Sequence, residues 1–140
     1  MHNNFPEGPP YPTRTISDGT HRFIMNLTPD ELYIEKHLMG LKGNAVLNNP
    51  YWATWIRDSW AKPEIYQLVK RYQSRPEISF YNTLEDPYEM NDLAQNKHYD
   101  PKIQGMRKEL KRWMEAEGDP GILLDTKKAH QAAKSGKHLF

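Results

Sequence analysis

No cysteine occurs among the 140 residues. That excludes disulfides, thiolate metal sites and a thiol nucleophile, and it leaves the redox compartment open. A dominant charge is also missing, since 19 Lys and Arg stand against 18 Asp and Glu for a net charge of +1. Such a balance argues against nucleic acid or an anionic membrane as the main partner. No apolar run approaches the roughly 18 residues that a membrane span requires. The opening Met1-His2-Asn3-Asn4-Phe5-Pro6 has neither the basic region nor the apolar stretch expected of a signal peptide. Leu, Ile, Val and Phe together number only 26, near the roughly one-fifth share below which burial no longer balances chain entropy. Instead the sequence has 4 Trp and 8 Tyr beside its 4 Phe, and each large ring can bury a wide apolar area. The length fits one domain. The expectation is a folded, core-poor chain whose apolar faces want a neighbour.

Phe5 to Pro12 holds four prolines and Gly8, so it is extended and cannot be helix. Thr13 to Ser17 then alternates and is rich in β-branched residues, and Thr20 to Leu27 continues with Phe23 and Met25 on one face and Ile24 on the other. Asp18-Gly19 between them predicts a hairpin with a type I′ turn. From Thr28 to Asn49 the pattern allows one or two helical turns around Leu32-Tyr33-Ile34 and His37-Leu38-Met39, with Gly40, Gly43 and Asn48-Asn49 marking loops. Asn49 caps a helix with Pro50 at its first position, which places Trp52, Trp55, Ile56 and Trp60 on one side. Pro63 starts another, striped by Ile65, Leu68, Val69 and Tyr72 and stopped at Arg75-Pro76. Ile78 to Tyr81 reads as a strand. The clearest helix has Asp100 as cap, Pro101 in first position, and Ile103, Met106, Leu110, Trp113 and Met114 at helical spacing, with Gly118 as its stop. Thr126 onward is a basic tail expected to fray. The predicted class is α+β: a small antiparallel sheet, made of the N-terminal hairpin and a later strand, packed on a long C-terminal helix, with a helical Trp/Tyr-rich insertion.

Motifs for chemistry are few. None of the six histidines has a His or carboxylate at the i, i+4 spacing of a helical zinc site, and His21 reads as a surface position on its strand. There is no G-x-S-x-G elbow, Walker loop or G-x-G-x-x-G. Asn26-Leu27-Thr28 matches a glycosylation sequon but is followed by Pro29. Arg107, Lys108, Lys111 and Arg112 alternate with Glu109, Glu115 and Glu117, as on a solvated helix face.

The order of these pieces resembles the sulfatases. Phe80-Tyr81-Asn82 followed by Glu85-Asp86-Pro87-Tyr88-Glu89-Met90-Asn91-Asp92-Leu93-Ala94 is similar to the E-L-Y-D-L-x-x-D-P-x-E-x-x-N-L-A element near the C-terminus of that family. Tyr11-Pro12-Thr13-Arg14-Thr15-Ile16 and His21 through Leu27 are similar to its Y-P-x-R-x-V…R-Y-K-L-I-x-N hairpin, and Asp100-Pro101 through Gly118-Asp119-Pro120 to its closing helix. The resemblance runs over residues 9 to 121 and is nearest to the N-sulfoglucosamine sulfohydrolase (heparan N-sulfatase) type. Asn82 stands where the family commonly has Asp. In physical terms, Asp86-Pro87 sets a turn, Glu89 is expected to reach back to free backbone amides, and Leu93 to anchor the segment on the sheet. On this scheme residues 1–12 are a linker or pocket segment, 13–121 the sulfatase C-terminal-like subdomain and 122–140 a basic, flexible tail.

The resemblance implies an incomplete catalyst. Sulfatases carry C-x-P-x-R or S-x-P-x-R, whose Cys or Ser becomes formylglycine, beside a carboxylate-rich calcium site in an N-terminal domain. Here the nearest match, Ser74-Arg75-Pro76-Glu77-Ile78, ends in Ile. No catalytic residue, metal ligand or cofactor is therefore expected in this chain, since formylglycine and calcium belong to the parent's catalytic domain. The implied partners are that domain, in cis or in trans, and a sulfated carbohydrate, with no nucleic acid and no membrane. The parent family is typically periplasmic, secreted or lysosomal. The leading expectation is the C-terminal part of a sulfatase, inactive alone, and the alternative is a stand-alone carbohydrate-binding or scaffolding module. His2, Asn3, Asn4 and Glu7 are the candidate substrate-binding residues, because in the resembling enzymes that stretch runs near the pocket mouth and such side chains donate or accept hydrogen bonds from sugar hydroxyls and sulfate.

Overall fold

A computed structural model describes residues 9–39 and 50–135. The candidate residues His2, Asn3, Asn4 and Glu7, and the loop and cap residues Gly40, Gly43, Asn48 and Asn49, lie outside the described residues. Three strands, β1 (Thr13–Ser17), β2 (His21–Asn26) and β3 (Ile78–Asn82), form one antiparallel sheet in that order. Among the described residues five α-helices accompany them: α1 (Lys36–Met39), α2 (Pro50–Ser59), α3 (Pro63–Gln73), α4 (Asp100–Ala116) and α5 (Lys127–Lys134). The α+β class expected from the sequence is the one observed.

The hairpin forms, but it reverses one residue later than the Asp-Gly pair suggests. Ser17 pairs with Arg22, so Gly19 and Thr20 are the central residues. Within the turn only Gly19 has positive φ, at 90°, as in hairpin turns that put glycine first. Asp18 precedes the turn, and its Oδ1 accepts the Thr20 and His21 amides at 2.9 and 2.7 Å. An aspartate is favoured here because its short side chain can satisfy two turn amides at once.

Strand alternation gives the sheet two unlike faces. Phe23 and Met25 on β2 and Phe80 on β3 point to one side and are buried there with Ile103, Met106 and Leu110 of α4. Ile16, Leu27, Ile78, Leu93 and Met114 close the edges of this core. The apolar stripe of α4 is the one expected except at its end, where Trp113 is 52% exposed and Met114 takes the place against the core. At about 100° per residue, Trp113 and Met114 flank the stripe of Ile103, Met106 and Leu110 on opposite sides, and the core covers the Met114 side. The helix also begins one residue early, with Tyr99 as N-cap and Asp100 already helical. Its end matches expectation: Gly118 has φ 65°, its amide bonds to the Glu115 carbonyl at 3.2 Å, and the Asp119 amide bonds to the Met114 carbonyl at 2.8 Å. That pair of bonds is the Schellman arrangement, which needs a residue tolerant of positive φ.

The stop places Asp119 under β1. Arg14 and Asp119 form a bidentate ion pair, Nε to Oδ2 and Nη2 to Oδ1, the latter at 2.9 Å. Their side chains are 3% and 8% exposed. Asp119 Oδ1 also accepts the Gly121 amide at 2.8 Å.

A second, smaller core lies in the insertion, where Met39, Trp52 and Val69 are buried against Ile34, Leu38, Ile56, Ile65 and Tyr72. Ring contacts run on from it: Trp52 to Tyr72 at 5.6 Å, Tyr72 to Tyr33 at 5.6 Å and Tyr33 to Tyr11 at 5.4 Å. Tyr11 lies two residues before β1, so edge-on and tilted ring contacts join the insertion to the sheet. Trp60 does not share the buried side expected for it and is 87% exposed. α2 ends at Ser59, one residue before it, where the Ser59 hydroxyl turns back to the Ile56 carbonyl.

Two stability measurements check this packing. Leu110→Ala is expected to cost about 2–5 kcal/mol in chemical denaturation, whereas Trp113→Ala costs less than about 1 kcal/mol. Asp119→Ala removes both carboxylate bonds of the buried Arg14 guanidinium, and a loss of about 3–5 kcal/mol is expected.

Candidate functional site

The sheet face opposite α4 is only partly covered. Ile24, Asn26, Ser79 and Tyr81 form its floor, and α3 forms one wall with Ile65, Leu68, Val69 and Tyr72. Trp55 of α2 stands at one end, and the segment after β3 supplies Tyr88, Glu89, Met90 and Asp92 opposite. These enclose an open groove of about 680 Å³, within the range of small-ligand sites. Tyr88 is 85% exposed and Trp55 45% exposed, so two ring faces are available at the rim.

The wall after β3 is the D-P-x-E-x-x-N-L-A-like segment, and its polar residues are spent on holding it. Asp86 Oδ2 accepts the Asn91 amide at 2.7 Å. Backbone donors, that of Asn91 first, hold the Asp86 carboxyl below the usual carboxylate range. Asp92 Oδ1 accepts the Phe80 and Ala94 amides at 3.0 and 2.9 Å, and the Leu93 amide bonds to the Phe80 carbonyl at 2.7 Å. Leu93 anchors the segment as expected. Glu89 differs from expectation: its carboxylate pairs with Arg22 on β2 instead of capping amides, a direction set by its left-handed backbone, φ 54°. Asn82 Oδ1 accepts the Leu84 and Glu85 amides at 3.2 and 3.3 Å, so an amide serves the turn where the family has a carboxylate.

Charge distribution distinguishes the groove from the rest of the surface. Five of the seven arginines face a carboxylate: Arg14–Asp119, Arg22–Glu89, Arg57–Asp58, Arg107–Glu77 and Arg112–Glu109. Arg71 and Arg75 make no such ion pair among the described residues, and both line the groove. Arg71 donates to the Met90 carbonyl at 2.7 Å and contacts its sulfur at 3.4 Å, which leaves part of its five-donor fork open. Arg75 lies 3.8 Å above the Tyr33 ring, with Tyr72 and Tyr11 at 5.6 and 5.8 Å, all within cation–π range. Burial pushes the Tyr72 and Tyr81 hydroxyls above the usual phenol value, so both remain neutral hydrogen-bonding groups. Nothing in the local sequence pattern picks out these residues. The aromatic density from Tyr51 to Tyr81 is the one available sign.

His21 is the second departure from expectation. It is 8% exposed, stacked 5.1 Å from Phe80, with Nδ1 2.9 Å from Lys102 Nζ. Its place opposite Asn82 at the end of β2, beneath α4, buries it. Lys102 also pairs with Asp18 Oδ2 at 2.8 Å. Among the described residues no group of three His, Asp or Glu could hold a metal ion, and no helix is long and apolar enough to cross a membrane.

No protein-family model matches the chain. Two sulfatases do. One ulvan-active sulfatase of Formosa agariphila is 27% identical in an alignment 124 residues long that covers 81% of this chain. A second from the same organism is 25% identical in an alignment 113 residues long that covers 78% of this chain. The chain is sulfatase-related. It spans 18% of the length of each of these curated relatives. Neither bears the N-sulfoglucosamine sulfohydrolase name, so the comparison supports the broader family likeness and not that finer type. The sulfatase-like elements of this chain hold the scaffold together: Arg14 and Asp119 join β1 to the end of α4, and Asp86, Asp92 and Leu93 build the groove wall.

The Asp18 carboxyl is held well below its ordinary value of 3.8, first by its hydrogen bond to Lys102 and then by the His21 and Thr20 amides. A carboxyl lowered in the folded state stabilises the fold above its unfolded value, and that contribution is lost as pH falls through the folded one. Asp18→Asn is therefore expected to lower the melting temperature near neutral pH. Because the pair is partly exposed, the loss is at most about 1 kcal/mol. The gap to wild type should narrow steadily below pH 3.8, which thermal melts across that range would read.

Proposed function

We propose that the chain is the C-terminal sheet-and-helix module of a sulfatase acting on a sulfated carbohydrate, working beside a catalytic domain that carries formylglycine and calcium. The observation that carries this reading is the coincidence of sequence likeness and structural role. The residues resembling the family's C-terminal elements are those that pin the hairpin to the closing helix and build the wall of the groove. The chemistry needs a hydrated aldehyde to attack sulfur and a divalent cation to polarise the sulfate oxygens. Neither C-x-P-x-R nor S-x-P-x-R occurs in this sequence, so the module contributes binding and support instead of the attacking group. On the same reading His2, Asn3, Asn4 and Glu7 sit at the mouth of the assembled pocket.

The two relatives are named as active on ulvan, which favours sulfated ulvan as the substrate to try first, with an N-sulfated glucosamine as comparison. The chain alone is expected to give no turnover of either, or of an aryl sulfate, above a blank. Added to a sulfatase catalytic domain lacking its own C-terminal module, it should raise hydrolysis. Turnover by the purified chain alone, or no gain on mixing, would overturn the proposal. The second reading, a stand-alone carbohydrate-binding module, is favoured by the open aromatic groove. It predicts glycan binding with no gain on mixing.

A further inference from the structure

We infer that the groove on the open face of the sheet is a binding subsite for an anionic sugar residue, with the anion at Arg71 and the sugar ring against Tyr88. The charge pattern carries the first half. Every arginine outside the groove has a carboxylate partner, whereas the two that line it have none in ion-pair contact among the described residues. The carboxylates beside them are already engaged, Glu89 with Arg22, Asp92 with two backbone amides, and Asp86, which also feels the Arg71 charge, with the Asn91 amide. An anion entering the groove therefore meets an open guanidinium and no uncommitted carboxylate. Arg71 can offer it a planar set of donors, the geometry that suits sulfate or carboxylate oxygens. Arg75, set among the Tyr33, Tyr72 and Tyr11 rings, adds positive potential without leaving its stack.

The second half rests on shape. Tyr88 stands 85% exposed on a segment fixed to β3 by the Asp92 and Leu93 hydrogen bonds. A large ring held in water on a rigid support presents a flat apolar face, on which the axial C–H face of a pyranose can lie while its hydroxyls stay solvated. Trp55, half exposed at the other end of the groove, offers a further ring. A free inorganic anion would use Arg71 alone, and an uncharged sugar only the rings. A sulfated sugar uses both. The substrate class rests on the sulfatase reading above, whereas the preference for an anion on a ring rests on the groove itself.

The test is calorimetric titration of the full 140-residue chain with a sulfated ulvan oligosaccharide, with the same oligosaccharide after desulfation, and with inorganic sulfate. Wild type should bind the sulfated form best. Arg71→Gln is expected to weaken that binding by about tenfold or more, in line with loss of a charged hydrogen bond, and to leave the desulfated form unchanged. Tyr88→Ala should weaken both forms, and at an exposed position it does not threaten the fold. If Arg71→Gln lowers the melting temperature, Arg71→Lys, which keeps the charge and loses the planar fork, should still weaken the sulfated form selectively. Equal binding of sulfated and desulfated forms would overturn the inference. So would wild-type affinity in both the Arg71 and Tyr88 variants, or inorganic sulfate binding as tightly as the oligosaccharide. A gain in hydrolysis on mixing, with affinity unmoved by the substitutions, removes this inference and keeps the sulfatase reading. Arg71-dependent binding without that gain does the reverse.

Discussion

The buried pairing of Arg14 with Asp119 is the constraint around which the molecule is arranged. It spans 105 positions in sequence and fixes the first strand to the turn that ends the last long helix. Buried ion pairs of this kind add little net stability compared with apolar substitutes, but they tolerate only one geometry. The helix must stop at Gly118, since a longer helix would carry Asp119 away from β1. The stop in turn sets which stripe of α4 meets Phe23 and Phe80. A core this poor in aliphatic residues has little redundancy, so a polar device that selects one docking angle counts for more here than in a larger domain.

One sheet serves two purposes because its faces differ. The face carrying Phe23, Met25 and Phe80 is filled by α4. The other carries Ile24, Ser79 and Tyr81, is partly covered by α3 and borders the groove. The insertion is held by aromatic contacts and one small apolar cluster, and these reach the sheet through Tyr33 and Tyr11. Composition foreshadows this division: a few Phe, Met and Ile side chains with Leu110 make one compact core, and Trp and Tyr build much of the remainder along edges and rims.

The parts of the fold legible in the sequence are those governed by local rules. Proline before the hairpin, alternation along β1 and β2, the β3 run and the glycine stop of α4 each follow from backbone sterics or side-chain period. The misread features depend on partners distant in sequence. Trp113 and Met114 are adjacent and both apolar, and only the direction of the sheet decides which of them is covered. His21 looks like a strand surface residue until Lys102 and Phe80 arrive from later in the chain. Local pattern directs Glu89 to nearby amides, yet Arg22 from β2 claims it and Asp86 and Asp92 accept those bonds. The groove was hidden for the same reason, because Arg71 is distinguished by the carboxylate it lacks, and an unmet charge cannot be read from a linear sequence. The proposed pocket residues near the N-terminus came from the family likeness and lie outside the described residues.

The insertion leaves and rejoins the sheet at nearly one point. Met25 is paired with Ile78, and the Asn26 amide bonds to the Glu77 carbonyl at 2.8 Å, so everything between them is an excursion from a closed doorway. Closing such a loop costs only about 0.6 kcal/mol more for each doubling of its length. A change in the length of that excursion therefore costs the sheet, α4 and the Arg14–Asp119 clasp little in closure entropy. The scaffold can thus diversify one wall of its groove while conserving the other, which allows ligand preference to evolve separately from foldability.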